Sequence, residues 1–424
     1  MFLWTDLFAI IVVSTIFDTS IAISRKKILE GNEEQSFKDK YNFADISAAC
    51  INFTNSLYKS LLSYVPVSTG KNVIISPLNL YITLSLFSNG TEGSILNELK
   101  SVLHFNDTIS FNNKLKALIV SLNDIKSSEL RMTNTAYVEK EIEFVGNFLT
   151  MYTNNFISFI TKMDFRNNTF AVKIINLIVQ VVSNTLFDVI SSDDIDNSTT
   201  FLLINTVYFK TRWLYIFNEE DTREQIFHAS ATKKYIVPTM FKESLYEYGI
   251  IQAWSCRFIE IPYTNKDMVM IILLPDRDIT LEILENNFNW QTLMNIRTFP
   301  DPILLYLPKF KFEITIDLKD TLRKIGLNIM FEDLRNFTRL SKFPLKIDNV
   351  LQKIIIEVDE KGSEFPATNV DAEWNKQYRS STRFTVNRPF MFAIKHIPTQ
   401  TPLFLGSVRI PHTNTYFIRD RSEL

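Results

Sequence analysis

From Ile46 onward the apolar positions Ile46, Cys50, Phe53, Leu57, Leu61 and Tyr64 recur in steps of three and four. That spacing places them on one helical face and predicts a long amphipathic helix at the start of the folded domain. Further helical patterns fall at about 77–88, 94–100, 111–124, 144–157 and 170–183, with no interior Gly or Pro except Gly146 near one start. The second half changes period. Phe201–Phe209, Met268–Leu274, Ile303–Leu307 and Ile354–Val358 are short runs of Ile, Leu, Val and aromatics, which predict buried strands. Helices first and strands later indicate an α+β organisation. No internal repeat or low-complexity linker divides the chain, so one large domain is expected.

The ends read differently. Residues 1–24 hold an apolar run from Leu7 to Phe17, the small residues Ala22 and Ser24, and then Arg25, Lys26 and Lys27. This is the pattern of a secretory signal peptide cleaved near 22–24, although the first residues carry Asp6 and no cation. A membrane anchor is the competing reading, but the run is shorter than the roughly 20 residues a spanning helix needs. Residues 25–41 are polar without periodicity and read as an N-terminal arm; 42–412 form the domain and 413–424 a C-terminal tail. Asn-x-Ser/Thr sequons start at Asn52, Asn89, Asn106, Asn167, Asn197 and Asn336, consistent with a secreted, extracellular glycoprotein. The terminal Arg421-Ser422-Glu423-Leu424 has a faint likeness to an endoplasmic-reticulum retention signal, a minor alternative location.

Composition narrows the function classes. The 424 residues are 46% hydrophobic and 22% charged, enough apolar surface to exclude a disordered or collagenous chain. The net charge of -2 comes without a basic stripe, so nucleic acid is not an expected partner. Nine glycines leave little room for a phosphate-cradling loop or a dinucleotide fingerprint, and neither motif is present. His104, His228, His396 and His412 are too scattered for a metal site, so no metal or cofactor is expected. Cys50 and Cys256 read as buried free thiols, with a single bridge as the alternative. No catalytic constellation emerges, and the chain is not expected to be an enzyme.

The stretch from Glu357 to Pro389 stands out. It leaves an apolar strand, passes through Val358-Asp359-Glu360-Lys361-Gly362-Ser363-Glu364, and stays polar until Phe390-Met391-Phe392-Ala393-Ile394. Loops of that length inside a compact domain are usually functional or disordered. Lys376, Arg379 and Arg383 lie within it, and each suits the acidic specificity pocket of a trypsin-like protease. A solvated surface loop is the plain alternative.

At this point the residues resemble the serpin family. Phe384-Thr385-Val386-Asn387-Arg388-Pro389-Phe390-Met391-Phe392-Ala393-Ile394 is similar to the family's motif after its reactive loop, continuing into His396-Ile397-Pro398-Thr399 and Leu403-Phe404-Leu405-Gly406. Asn72-Val73-Ile74-Ile75-Ser76-Pro77-Leu78, Asn205-Thr206-Val207-Tyr208-Phe209-Lys210 with Trp213, Thr222-Arg223-Glu224 and Leu307-Pro308-Lys309-Phe310 fit in the same order. The resemblance runs from about Ile46 to Pro411. It implies three β-sheets, about nine helices and an exposed reactive-centre loop at about 360–384. It also implies a monomeric suicide substrate: a serine protease attacks the loop, and the loop inserts into the main sheet as an extra strand.

Whether this loop can insert depends on its own residues. Glu360-Lys361-Gly362-Ser363-Glu364 matches the hinge of inhibitory members, but Phe365-Pro366-Ala367 replaces their run of small residues. If Ser363 points inward, alternation points Phe365 and Ala367 inward too. Overpacking of that kind costs roughly 1–3 kcal/mol, and Pro366 lacks a ladder donor. A non-inhibitory binding, chaperone or substrate-type serpin is therefore the alternative to an inhibitor. Counted from Glu360, the family distance puts the reactive bond at Lys376-Gln377, with Arg379-Ser380 nearby; either implies a trypsin-like target. Asn79 stands where the family often has Ser, and Gln352 where it often has His.

Overall fold

The computed structural model describes residues 43–65, 70–123, 129–145, 158–183, 188–332, 337, 340–341, 345–360, 382–411 and 414–418. The predicted opening helix is α1 (Ala44–Tyr64), whose buried residues include Ile46, Cys50, Phe53, Leu57 and Leu61. It is followed by α2 (Pro77–Gly90), α3 (Gly93–Val102), α4 (Thr108–Asn123), α5 (Asn168–Ser183), α6 (Leu281–Asn287), α7 (Trp290–Met294) and α8 (Lys319–Lys324). The strands are β1 (Val73–Ile75), β2 (Glu129–Glu139), β3 (Ser158–Met163), β4 (Phe201–Lys210), β5 (Arg223–His228), β6 (Lys234–Ile251), β7 (Cys256–Pro262) and β8 (Met268–Pro275). They continue with β9 (Phe299–Pro308), β10 (Phe310–Asp317), β11 (Asn349–Val358), β12 (Thr382–Thr385), β13 (Phe390–His396), β14 (Thr401–Val408) and β15 (Asn414–Ile418). The helical pattern at 144–157 is overturned at its start, since Phe144 forms an antiparallel bridge with Ser341; residues 146–157 lie outside the described residues.

A six-stranded main sheet runs β15-β10-β11-β4-β2-β3, and a nine-stranded sheet runs β1-β14-β13-β8-β7-β6-β9-β12 with β5 on β6. Among the described residues, the three sheets expected from the resemblance are two by hydrogen bonding. The reason is β6: its start, Lys234–Thr239, pairs with β5, its middle, Thr239–Tyr248, with β9, and its end, Glu247–Ile251, with β7, so one strand fuses two sheets. Eight α-helices, against about nine expected, stand among the described residues.

The main sheet is covered on both faces. Alternation along β4 sends Leu202 and Ile204 toward Ile175, Ile178 and Val179 of α5, while Phe201, Leu203, Val207 and Phe209 join the larger core. In that core Phe209 meets Phe404 of β14 at 5.3 Å between ring centroids, and Phe310 meets Phe392 of β13 at 5.8 Å. Helix α2 is buried along its length except at Asn89, as an interior helix must be. Its hydroxyls turn back onto carbonyls one turn earlier: Thr83 bonds Asn79 at 3.0 Å and Ser85 bonds Tyr81 at 2.6 Å. Gly406 is required by packing, because a Cβ there would stand 2.7 Å from the Phe392 ring and 3.0 Å from the Val73 carbonyl.

Candidate functional site

The long polar stretch is framed by two anchored ends. On its N-terminal side β11 runs parallel to β4 in unbroken register, from Asn349↔Leu202 to Ile356↔Phe209. No strand lies between them, so this is a closed sheet. At the top of that seam Trp213 stacks on Tyr263 (4.6 Å, 14°) and donates its indole N–H to the Asp359 carbonyl at 2.8 Å. Lys210 lies between the Glu357 and Asp359 carboxylates at 3.5 and 3.6 Å. Burial lowers the Lys210 pKa, but these two carboxylates outweigh it and leave the ammonium above its usual range.

Glu360, the first residue of the expected hinge, is 4% exposed. Its carboxylate accepts from the Thr222 hydroxyl at 2.7 Å and pairs with Lys309 at 2.6 Å. Burial alone would raise its pKa; the Lys309 and Thr222 bonds prevail and hold it below the ordinary value. Both partners lie inside stretches that carried the family likeness, yet nothing in the sequence assigned them to Glu360. They are 138 and about 50 positions away along the chain.

Lower in the same seam a polar row crosses the sheet. Asn134 of β2 is in register with Asn205 of β4, which is in register with Gln352 of β11. The Asn205 amide donates to Asn134 Oδ1 and to Thr83 of α2, each at 2.7 Å. Gln352 clamps the Ser76 backbone with both ends of its amide, accepting from its N–H at 2.9 Å and donating to its C=O at 3.0 Å. Ser76 in turn donates its hydroxyl to Leu403 at 2.8 Å, tying the main sheet to β14. Asn79, fully buried nearby, has no hydrogen-bond partner for its side-chain oxygen or nitrogen among the described residues. Asn134 and Thr83 were not legible as members of this network.

The C-terminal side of the stretch is fixed by β12, which pairs parallel with β9. Arg383 therefore belongs to a strand and not to the loop: its guanidinium lies 4.6 Å from the Tyr306 ring centroid. This removes it from the candidates for the reactive bond. Past β12, Asn387 O accepts from His228 N–H at 2.8 Å, and Arg388 donates twice to the Pro275 carbonyl at 2.8 and 2.6 Å. Burial, reinforced by Arg257 and Arg277, pulls the Arg388 pKa down to about 10.

Lys361, Gly362, Ser363, Glu364, Phe365, Pro366, Ala367, Lys376, Gln377, Arg379 and Ser380 lie outside the described residues, as do residues 1–42 and Asn336. Asn52, Asn106, Asn167 and Asn197 are exposed; Asn89 is half-buried and shares its amide with Asn112. Cys50 and Cys256 are free and buried, and burial pushes both thiols up to about 12. His396 is buried and shares its Nδ1 with Thr399 at 2.7 Å, a structural role. Among the described residues no group of three or more metal-ligating side chains stands together, and no helix is long and apolar enough to cross a membrane.

Comparison with known proteins agrees with this geometry. The family model described as Serpin (serine protease inhibitor) matches residues 48–411. The antitrypsin of Bombyx mori is 30% identical over 352 residues, 81% of this chain and 89% of that protein. Serpin48 of the insect Tenebrio molitor superposes with a TM-score of 0.76 at 27% identity, covering 90% of this chain and 99% of that one. Human thyroxine-binding globulin, solved as a complex with thyroxine, gives a TM-score of 0.80 at 25% identity and covers 87% of this chain and 99% of that one. With its closed main sheet, its anchored Glu360 and its long connection between β11 and β12, the chain belongs to the serpin family.

Proposed function

We propose that this serpin is a secreted suicide-substrate inhibitor of a trypsin-like serine protease, with Lys376-Gln377 as its reactive bond and Arg379-Ser380 as the alternative. The observation that carries the reading is the direct pairing of β11 with β4, with Glu360 held at the upper end of that seam. A sheet in this state has a strand's worth of backbone hydrogen bonds and side-chain burial still to gain. The protease serine adds to the Lys376 carbonyl, the Lys376–Gln377 C–N bond breaks, and the new amine of Gln377 leaves with a proton from the protease histidine. Lys376 is then an ester of the enzyme. Entry of the segment beginning at Lys361 between β11 and β4 carries that ester, and the protease with it, away before water hydrolyses it.

The carbohydrate reading is kept for Asn52, Asn106, Asn167 and Asn197, whose exposure supports it; the paired amide of Asn89 does not. A second reading, a non-inhibitory serpin, draws on Phe365-Pro366 at the start of the inserting segment and on the likeness to thyroxine-binding globulin. Mixing the protein with trypsin and resolving the products on denaturing gels separates the two. A covalent complex stable in SDS is expected. Loop cleavage with no complex would exclude inhibition and favour the second reading.

A further inference from the structure

The family match ends at residue 411, yet the chain goes on to form β15, which pairs parallel with β10 in register from Phe312↔Asn414 to Ile316↔Ile418. Without it β10 would be the outermost strand on that side of the main sheet. Strand β10 reads Phe-Lys-Phe-Glu-Ile-Thr-Ile-Asp, eight residues without Pro or Gly. An edge of that length and composition, with its row of N–H and C=O groups open, is a template for another strand.

The chain leading into β15 is fixed just before it. Asn72 accepts from the backbone N–H groups of Arg409 and Ile410 at 2.7 and 3.0 Å and donates to the Ile410 carbonyl at 2.9 Å. The Arg409 side chain donates to both oxygens of the buried Glu285 carboxylate, at 2.9 and 3.2 Å, and to the Lys71 carbonyl at 3.1 Å. Only residues 411–413 separate that anchor from the strand. So short a tether holds the segment at its acceptor with an effective concentration on the order of millimolar. Thr415, Tyr416, Phe417 and Ile418 are all strand-forming types.

We infer that β15 is a tethered cap on the outer edge of the main sheet, and that this edge, once vacated, takes up a second copy of the chain. The inference concerns the edge at β10 and not the seam between β11 and β4, so it stands apart from the protease reading.

The test compares the full chain with a form ending at Pro411, and with a full-length form carrying both Tyr416→Pro and Phe417→Pro, which removes ladder donors without shortening the protein. Light scattering after size exclusion should show both altered forms self-associating at least about tenfold more tightly than the full chain. At dilutions where they are monomeric, the alternate N–H groups of Phe312–Ile316 that face β15 should exchange at least about tenfold faster, while those bonded to β11 should not. A peptide of residues 412–420, added at roughly millimolar concentration, should return the truncated form to monomer. Unchanged association and unchanged exchange would overturn the inference. So would oligomers that resist this peptide but dissolve with a peptide of residues 362–375, because those would be joined at the β11–β4 seam.

Discussion

Asn79 offers the sharpest test of how the closed sheet is balanced. Its side chain is fully buried in α2 beneath the main sheet, and its amide oxygen and nitrogen both lack partners among the described residues. Each unsatisfied buried polar group costs roughly 1–3 kcal/mol. Asn79→Leu keeps the number and branching of heavy atoms while removing both polar atoms, at some expense from its larger methyls. The expected net effect is a gain of about 2 kcal/mol for the closed state. In a chain of this size that raises the unfolding midpoint by about 2–4 °C. Asn79→Ser removes the same amide without adding bulk and should raise the midpoint as well. The assay is thermal unfolding followed by circular dichroism at matched scan rates. If both variants lower the midpoint, the amide is satisfied in solution and the reasoning fails. A more stable closed sheet should also open more slowly, so a smaller fraction of trypsin should end in the covalent complex.

Other predictions rest on the hinge, the thiols and the loop. Lys309→Ala strips the buried Glu360 carboxylate of its cation and should destabilise the protein by roughly 1–3 kcal/mol in urea unfolding; adding Glu360→Gln should recover part of the loss, and no recovery would contradict the pairing. Because the Glu360 pKa is lower folded than unfolded, its contribution is present above the unfolded value of 4.5 and disappears as pH falls below it. Midpoints measured between pH 3 and 6 should show that loss in the parent and a flatter profile in Glu360→Gln. Cys50 and Cys256, buried with pKa values pushed up to about 12, should resist a thiol reagent until the chain unfolds; fast labelling of the folded protein would count against their burial. Replacing Phe365 and Pro366 together by Ala should raise the fraction of protease trapped, and an unchanged fraction would show that they do not limit insertion.

What the sequence disclosed followed the range of the signal. Helix α1 was legible because its apolar steps repeat over several turns, and β4, β8 and β11 because a buried strand is a continuous apolar run. The short helices α6, α7 and α8 offer too few turns for a period to register. Strand β6 stayed hidden for another reason: along its 18 residues it passes from one set of neighbours to another, so its burial does not alternate cleanly. The likeness singled out Glu360 but not the groups that anchor it. Thr222 and Ser76 meet Glu360 and Gln352 across 138 and 276 positions, and no local pattern records such pairings.

The amide at Gln352 has a consequence for where the protein operates. A histidine at that position would gain a proton between pH 5 and 8 and exchange an acceptor for a donor. Glutamine presents the same one donor face and one acceptor face to Ser76 throughout that range. The clasp at the centre of the sheet is therefore indifferent to acidity. Passage from a neutral fluid to a mildly acidic vesicle would leave the opening of the β11–β4 seam at the same rate, as far as this contact governs it.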